Sequence, residues 1–211
     1  MRAIFHSFYQ CNDLKQIIVE GEAAKHLQVV RVKLGEEVLV LNGEGLKALT
    51  KISSISKQQI ELTVTTCESI ERSHQISLAI ANPKKDAFED ILKIAVELGV
   101  QNIFPLKSDF SQFDYLKSDR VERILESALV QSNNAYFPQL HNQQSLEHFL
   151  KEVNLPLYFY NSKQSLNSPL QKSLGDKVIL IGPEGGFSPR EEALILSKPG
   201  VISIHMPTPI Q

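Results

Sequence analysis

From Ile76 onward, short apolar runs alternate with amphipathic helical stretches, and this alternation limits the possible folds more than any other feature of the chain. Ile76 to Ala81, Asn102 to Leu106, Leu157-Tyr158-Phe159-Tyr160, Val178-Ile179-Leu180-Ile181 and Val201 to Met206 read as strands. Asp86 to Leu98 places Phe88, Ile91, Leu92 and Ala95 on one helical face and stops at Gly99. Asp119 to Ser132 does the same with Val121, Ile124, Leu125, Ala128 and Leu129, and Ser145 to Glu152 reads as a shorter helix. Repeated β-α order predicts an α/β domain, a parallel sheet with helices on both faces. Ligands bind such sheets outside the carboxyl ends of the strands. Three loops are expected at that edge: Asn161-Ser162-Lys163, Gly182 to Gly186, and Pro207-Thr208-Pro209.

The first 82 residues are built differently, since all ten prolines lie at or after Pro83. Ile17 to Val19, Val38 to Leu41, Leu46 to Ile55 and Gln59 to Thr65 are β-rich, several of them alternating, and Glu22 to Val32 reads as a short helix. Asn42-Gly43-Glu44-Gly45 marks a hairpin. Short strands at this spacing predict a small β-barrel over residues 1–72, joined through a polar linker, Glu68 to His74, to a second domain over 73–211.

A net charge of −2 and a pI near 6.3 leave no global basic field to advertise nucleic acid, so any such surface must be local. The two cysteines, Cys11 and Cys67, form no CxxC and no cluster with histidine, which argues against a disulfide framework or a cysteine-based metal site. Two thiols fit a reducing cytoplasm. No apolar run reaches the roughly 20 residues that span a bilayer, and the N-terminus lacks a signal-peptide core. These features predict a soluble, cytoplasmic protein.

One loop concentrates the chemistry. Gly182-Pro183-Glu184-Gly185-Gly186-Phe187-Ser188-Pro189-Arg190-Glu191 follows the Val178 to Ile181 strand, with Ser188 and Glu191 at capping-box spacing and Pro189 at the first helical position. Three of the ten glycines fall within these first five residues, so the loop needs positive φ or close backbone approach by a ligand. The spacing is neither GxGxxG nor GxxxxGK[ST], which excludes the dinucleotide and P-loop motifs. On physics alone a tight turn and a ligand loop stand level.

The loop, followed by Glu191, resembles the signature of the SPOUT-type methyltransferases that modify N3 of a uridine in 16S ribosomal RNA. The likeness runs through nearly the whole chain. His26-Leu27 with Val30-Arg31-Val32-Lys33-Leu34-Gly35-Glu36 resembles that family's PUA-like barrel. Pro83-Lys84 with Asp86, Glu97-Leu98-Gly99-Val100, Pro105-Leu106, Glu126, Ala128, Gln131-Ser132 and Pro138 resemble its catalytic domain. The resemblance implies S-adenosylmethionine as methyl donor, a trefoil knot in the C-terminal part, and a homodimer with a shared RNA site. Another RNA target, or a catalytically silent RNA-binding homologue, are the alternatives.

Four departures accompany the likeness. Ile94, beside Lys93, stands where the family usually has Lys; Phe110 stands where it often has Arg; and Asn133-Asn134 replaces Gly-Arg. The family also continues past this chain's Gln211 with a Leu-Arg-containing segment and a last helix, so the C-terminal end reads as truncated and the site as impaired. Transfer from a sulfonium requires an in-line nucleophile and positioning, and no metal. Uracil N3 must lose a proton, which makes Glu184 a candidate base or orienting group, with hydrogen bonding to loop N–H groups as its structural role. Tyr160, Asn161, Ile181, Gly182, Pro183, Glu184, Gly185, Gly186, Met206, Pro207 and Ile210 are the candidate cofactor wall. Lys25, His26, Arg31, Lys33, Lys84, Lys85 and Arg190 are the candidate RNA contacts. The pairs Glu36-Glu37 and Glu191-Glu192 read as solvated turn and helix-start charges.

Overall fold

The computed structural model describes residues 1–8, 10–11, 14–72, 75–115, 118–160 and 175–204. Contacts divide the chain into two units, residues 1–72 with 122–137, and 73–121 with 138–211. No helix among the described residues is long and apolar enough to cross a membrane.

The first unit holds a curled five-stranded sheet in the order β1-β3-β4-β5-β2. Its strands are β1 (Arg2–Phe5), β2 (Gln16–Glu20), β3 (Glu37–Leu41), β4 (Leu46–Ile55) and β5 (Gln59–Ser69), with helix α1 (Gly21–Val29) after β2. Alternation does what it should. In β2, Ile17 and Val19 are buried while Gln16, Ile18 and Glu20 face out. Val38, Val40, Ala48, Ile52, Ile60 and Leu62 join them under Ala24 and Leu27 of α1. Each Val, Ile or Leu side chain among them contributes about 1.5–3 kcal/mol by leaving water. Thr50, fully buried in this core, donates its hydroxyl to the Val38 carbonyl.

Two sequence expectations need correcting in this unit. β5 runs on through Glu68 and Ser69, residues expected in the linker, because Leu46 to Leu49 of β4 pair with them and their neighbours. The cysteines are not thiols: Cys11 and Cys67 form a disulfide with their Cα atoms 5.3 Å apart. Counting motifs along the chain excludes a framework, but it does not see that the segment before β2 passes beside β5.

The second unit is built on a parallel sheet in the order β12-β10-β11-β6-β7-β8, with β9 also pairing β7. The strands are β6 (Ile76–Ala81), β7 (Asn102–Lys107), β8 (Gln139–Leu140), β9 (Gln144–Ser145), β10 (Leu157–Tyr160), β11 (Lys177–Ile181) and β12 (Val201–Ile204). The helices are α2 (Lys85–Glu97), α3 (Asp119–Ser132), α4 (Leu146–Glu152) and α5 (Pro189–Ser197). α3 covers the range its periodicity predicts, and its residues are shared between the units. Ala79, Ala81, Leu106, Leu157, Phe159, Val178 and Leu180 pack with Leu146, Phe149 and Leu150 of α4 and Ile195 of α5 on one face. Residues of opposite parity, Ile80 and Ile103, are buried too, so both faces are covered. β6 lies between β7 and β11, so the carboxyl ends of these three strands are neighbours.

Candidate functional site

At the end of β11 the chain turns sharply. The Gly186 N–H donates to the Pro183 carbonyl at 2.8 Å and closes a turn through Glu184 and Gly185. Gly186 takes φ +74°, the left-handed region where glycine carries no Cβ penalty. Gly182 answers the other requirement from within the loop, since a β-carbon there would lie 3.2 Å from the Gly186 backbone. The turn hands directly to α5. Ser188 accepts from the Glu191 N–H, Glu191 Oε2 accepts from the Ser188 N–H at 3.0 Å, and Pro189 opens the helix.

Glu191 is therefore not a solvated charge. It is only 1% exposed, and its second oxygen accepts from the Asp109 N–H at 2.8 Å. Asp109 sits just past β7, and the contact draws the β7–α3 loop onto the cap of α5. Its carboxylate accepts from the Ser188 hydroxyl at 2.5 Å and from Arg190 Nη2 at 3.1 Å. The Ser188 hydroxyl first and the Arg190 guanidinium second hold its pKa below the usual aspartate range. Arg190 also donates to Glu147 Oε1 at 2.9 Å. Arg190, a candidate RNA contact, pairs with two carboxylates of its own unit while its side chain stays 61% exposed.

The β6–α2 connection closes the other side. Glu184 Oε1 accepts from the Lys84 N–H at 3.1 Å. Hydrogen bonds from its own backbone N–H and then from Lys84 hold the Glu184 carboxyl below the ordinary glutamate range. The Glu184 carboxylate is thus hydrogen-bonded as an anion that ties its loop to the β6–α2 connection. Asn82, fully buried at the end of β6, donates Nδ2 to Gln143 Oε1 at 2.6 Å and to the Phe113 carbonyl at 3.3 Å. Its backbone carbonyl accepts from the Gln112 N–H at 3.0 Å. Three loops thus meet at one edge: 82–85, 108–113 and 182–186.

Of the candidate cofactor residues, Ile181 and Gly182 to Gly186 form that edge, and Tyr160 ends β10, the strand beside β11. Asn161, Met206, Pro207 and Ile210 lie outside the described residues, as do the Asn161-Ser162-Lys163 and Pro207-Thr208-Pro209 loops and the stretch needed for a knot. The backbone present fits an adenosine-type ligand. Gly185 is exposed, and no atom lies within 4 Å of where a β-carbon on Gly186 would stand. Lys84 and Lys85 are exposed at this same edge, while Lys25, His26, Arg31 and Lys33 are exposed on the first unit. Sequence reasoning missed Asp109 and the convergence of its loop. The signal was an acidic–aromatic pair, Asp109-Phe110, directly after a strand's carboxyl end.

Residues 71–210 match the family model described as an RNA methyltransferase domain, and residues 19–65 match an RNA methyltransferase PUA domain. Among curated proteins, the Ribosomal RNA small subunit methyltransferase E of Rickettsia conorii is 28% identical over 186 residues, covering 84% of this chain and 75% of that one. The protein of the same name from Bacillus subtilis is 26% identical over 212 residues, covering 91% and 83%. A solved structure of the Neisseria gonorrhoeae protein of that name, bound to S-adenosyl methionine, matches with a TM-score of 0.83 at 20% identity. It covers 98% of this chain and 89% of that one, and the likeness shows a shared fold.

Proposed function

The chain belongs to the RNA methyltransferase family, and from that premise we propose that it transfers a methyl group from S-adenosylmethionine to N3 of a uridine in 16S ribosomal RNA. The observation that carries this reading is the turn at Gly182–Gly186, set at the carboxyl edge of a parallel sheet and braced from two neighbouring strand ends. The relatives named for small-subunit RNA methylation support the substrate class.

When bound, S-adenosylmethionine supplies an electrophilic methyl on a sulfonium. The remaining work falls to the chain. Ile181, Gly182, Gly185 and Gly186 offer backbone that an adenosine can approach closely, and Tyr160 borders it from β10. Asn161, Met206, Pro207 and Ile210 complete the proposed wall. Glu184 fixes the loop against the Lys84 backbone and leaves the Lys84 and Lys85 side chains exposed for phosphate. Lys25, His26, Arg31 and Lys33 extend the proposed RNA contacts to the first unit. A homodimer completes the proposal, and a cytoplasmic location rests on the ribosomal RNA substrate alone, since the two cysteines are paired.

Two measurements test it. Calorimetric titration with S-adenosylmethionine should show binding; none would overturn the enzyme reading. Mass mapping of 16S RNA from cells lacking the protein should show loss of one 3-methyluridine; unchanged RNA would reject the target.

A further inference from the structure

We infer that Phe110 is a stacking platform for the target base, an inference that rests on the functional reading above. Phe110 is 45% exposed, an aromatic left open where the chain could have placed a polar residue. Its ring rests on the glycine turn: a β-carbon on Gly185 would lie 3.6 Å from Phe110 Cβ and 3.8 Å from its ring carbons Cγ and Cδ2.

The ring is carried on a stiff loop. The Ser111 N–H donates to the Ser108 carbonyl at 3.2 Å, and the Ser108 N–H donates to Ser111 Oγ at 3.0 Å. The Asp109 N–H is held by Glu191, and Gln112 Nε2 donates to the Phe110 carbonyl at 3.2 Å. Lys84 and Lys85 are exposed on the adjoining β6–α2 turn, where an RNA backbone would find cations.

The reaction supplies the need. Uracil N3 lies on the pairing edge, so the base must leave any stack or pair before the methyl group can reach it. A base taken from its stack is held by an aromatic side chain, and such stacking accepts any base because each has a π face. An anchored, half-open phenyl ring against the glycine turn provides that surface.

The chain contains no tryptophan, so Phe110→Trp installs a single indole reporter. The probes are a uridine-containing oligoribonucleotide and S-adenosylmethionine, each added alone. RNA should quench the indole and S-adenosylmethionine should not. With small ribosomal subunits as substrate, Phe110→Ala should weaken RNA binding by roughly ten- to a hundredfold, Phe110→Tyr should restore it, and calorimetric S-adenosylmethionine affinity should stay unchanged in both. Quenching by S-adenosylmethionine alone would assign the ring to the cofactor wall and overturn the inference. A change with protein concentration alone would assign it to contact between copies and do the same. If the wild type methylates and Phe110→Ala matches it, only this inference falls; if the wild type transfers no methyl group to RNA, the functional reading falls with it.

Discussion

The Lys84 backbone N–H and the Glu184 carboxylate meet at 3.1 Å, joining two turns that lie 100 residues apart in the chain. The contact needs an acceptor oxygen and makes no use of a titrating proton. Glu184→Gln keeps one oxygen and should retain methyl transfer within about threefold, whereas loss of a general base costs on the order of 10²–10⁴. Glu184→Ala should raise the Kd for S-adenosylmethionine more than it lowers the rate at saturation. Steady-state kinetics on the two variants separates the roles: a collapse of kcat in Glu184→Gln restores Glu184 as the base.

Glu191 accepts from two backbone donors, Ser188 and Asp109, while almost wholly buried. Truncating it leaves both N–H groups without this partner, and the buried one, that of Ser188, then costs about 1–3 kcal/mol. Glu191→Ala should therefore lose about 1–3 kcal/mol in urea unfolding. Glu191→Gln, which keeps one acceptor, should lose roughly half as much.

Acid should act on the same joint. Asp109 is lowered by Ser188 and Arg190, and Glu147 by its own backbone N–H and then Arg190. A carboxylate whose folded pKa is depressed stabilises the fold above its unfolded pKa, and that contribution fades as pH falls through the folded value. The melting temperature should thus be insensitive to these groups from pH 7 to about 5 and fall below about pH 4. Arg190→Ala should flatten that acid limb; an unchanged limb would show the network contributes nothing.

Much of this edge was legible locally and its assembly was not. The capping box, the proline at the helix start and the glycine turn are read from neighbouring residues, and all three stand in the structure. Burial of Glu191 was missed because its second partner, Asp109, comes from a different strand, and only the strand order β11-β6-β7 brings the two together. β1 escaped notice for a similar reason. Arg2–Phe5 is four residues long and shows no alternation, and its strand character comes from parallel pairing with β3.

The Cys11–Cys67 disulfide closes a loop of 56 residues. Restricting the unfolded chain by a loop of that size is worth about 4 kcal/mol in the chain-entropy model, with 2–4 typical. Cys67→Ser, or reduction of the wild type, should lower unfolding free energy by about 2–4 kcal/mol. Thiol titration of the denatured, unreduced protein should find no free cysteine; two free thiols would remove the bridge from the fold in solution.

Arg31 is the residue where stability and RNA binding should part company. It follows α1 in a Schellman ending, with Arg31 N–H to the Gln28 carbonyl at 2.9 Å and Val32 N–H to the Leu27 carbonyl at 3.2 Å. That ending requires a left-handed residue, and Arg31 takes φ +54°. α3 ends the same way, but there Asn133 takes φ +52°, a residue type that visits this region far more readily. Arginine visits it rarely, so this ending carries backbone strain that glycine would not. Arg31→Gly should raise unfolding free energy by about 0.5–1 kcal/mol. The same change should weaken binding to small-subunit RNA and reduce the salt dependence by about one phosphate contact. Arg31→Lys should keep the strain and most of the salt slope. A glycine variant that is stabilised yet binds RNA with the wild-type affinity and slope would show that Arg31 only ends the helix.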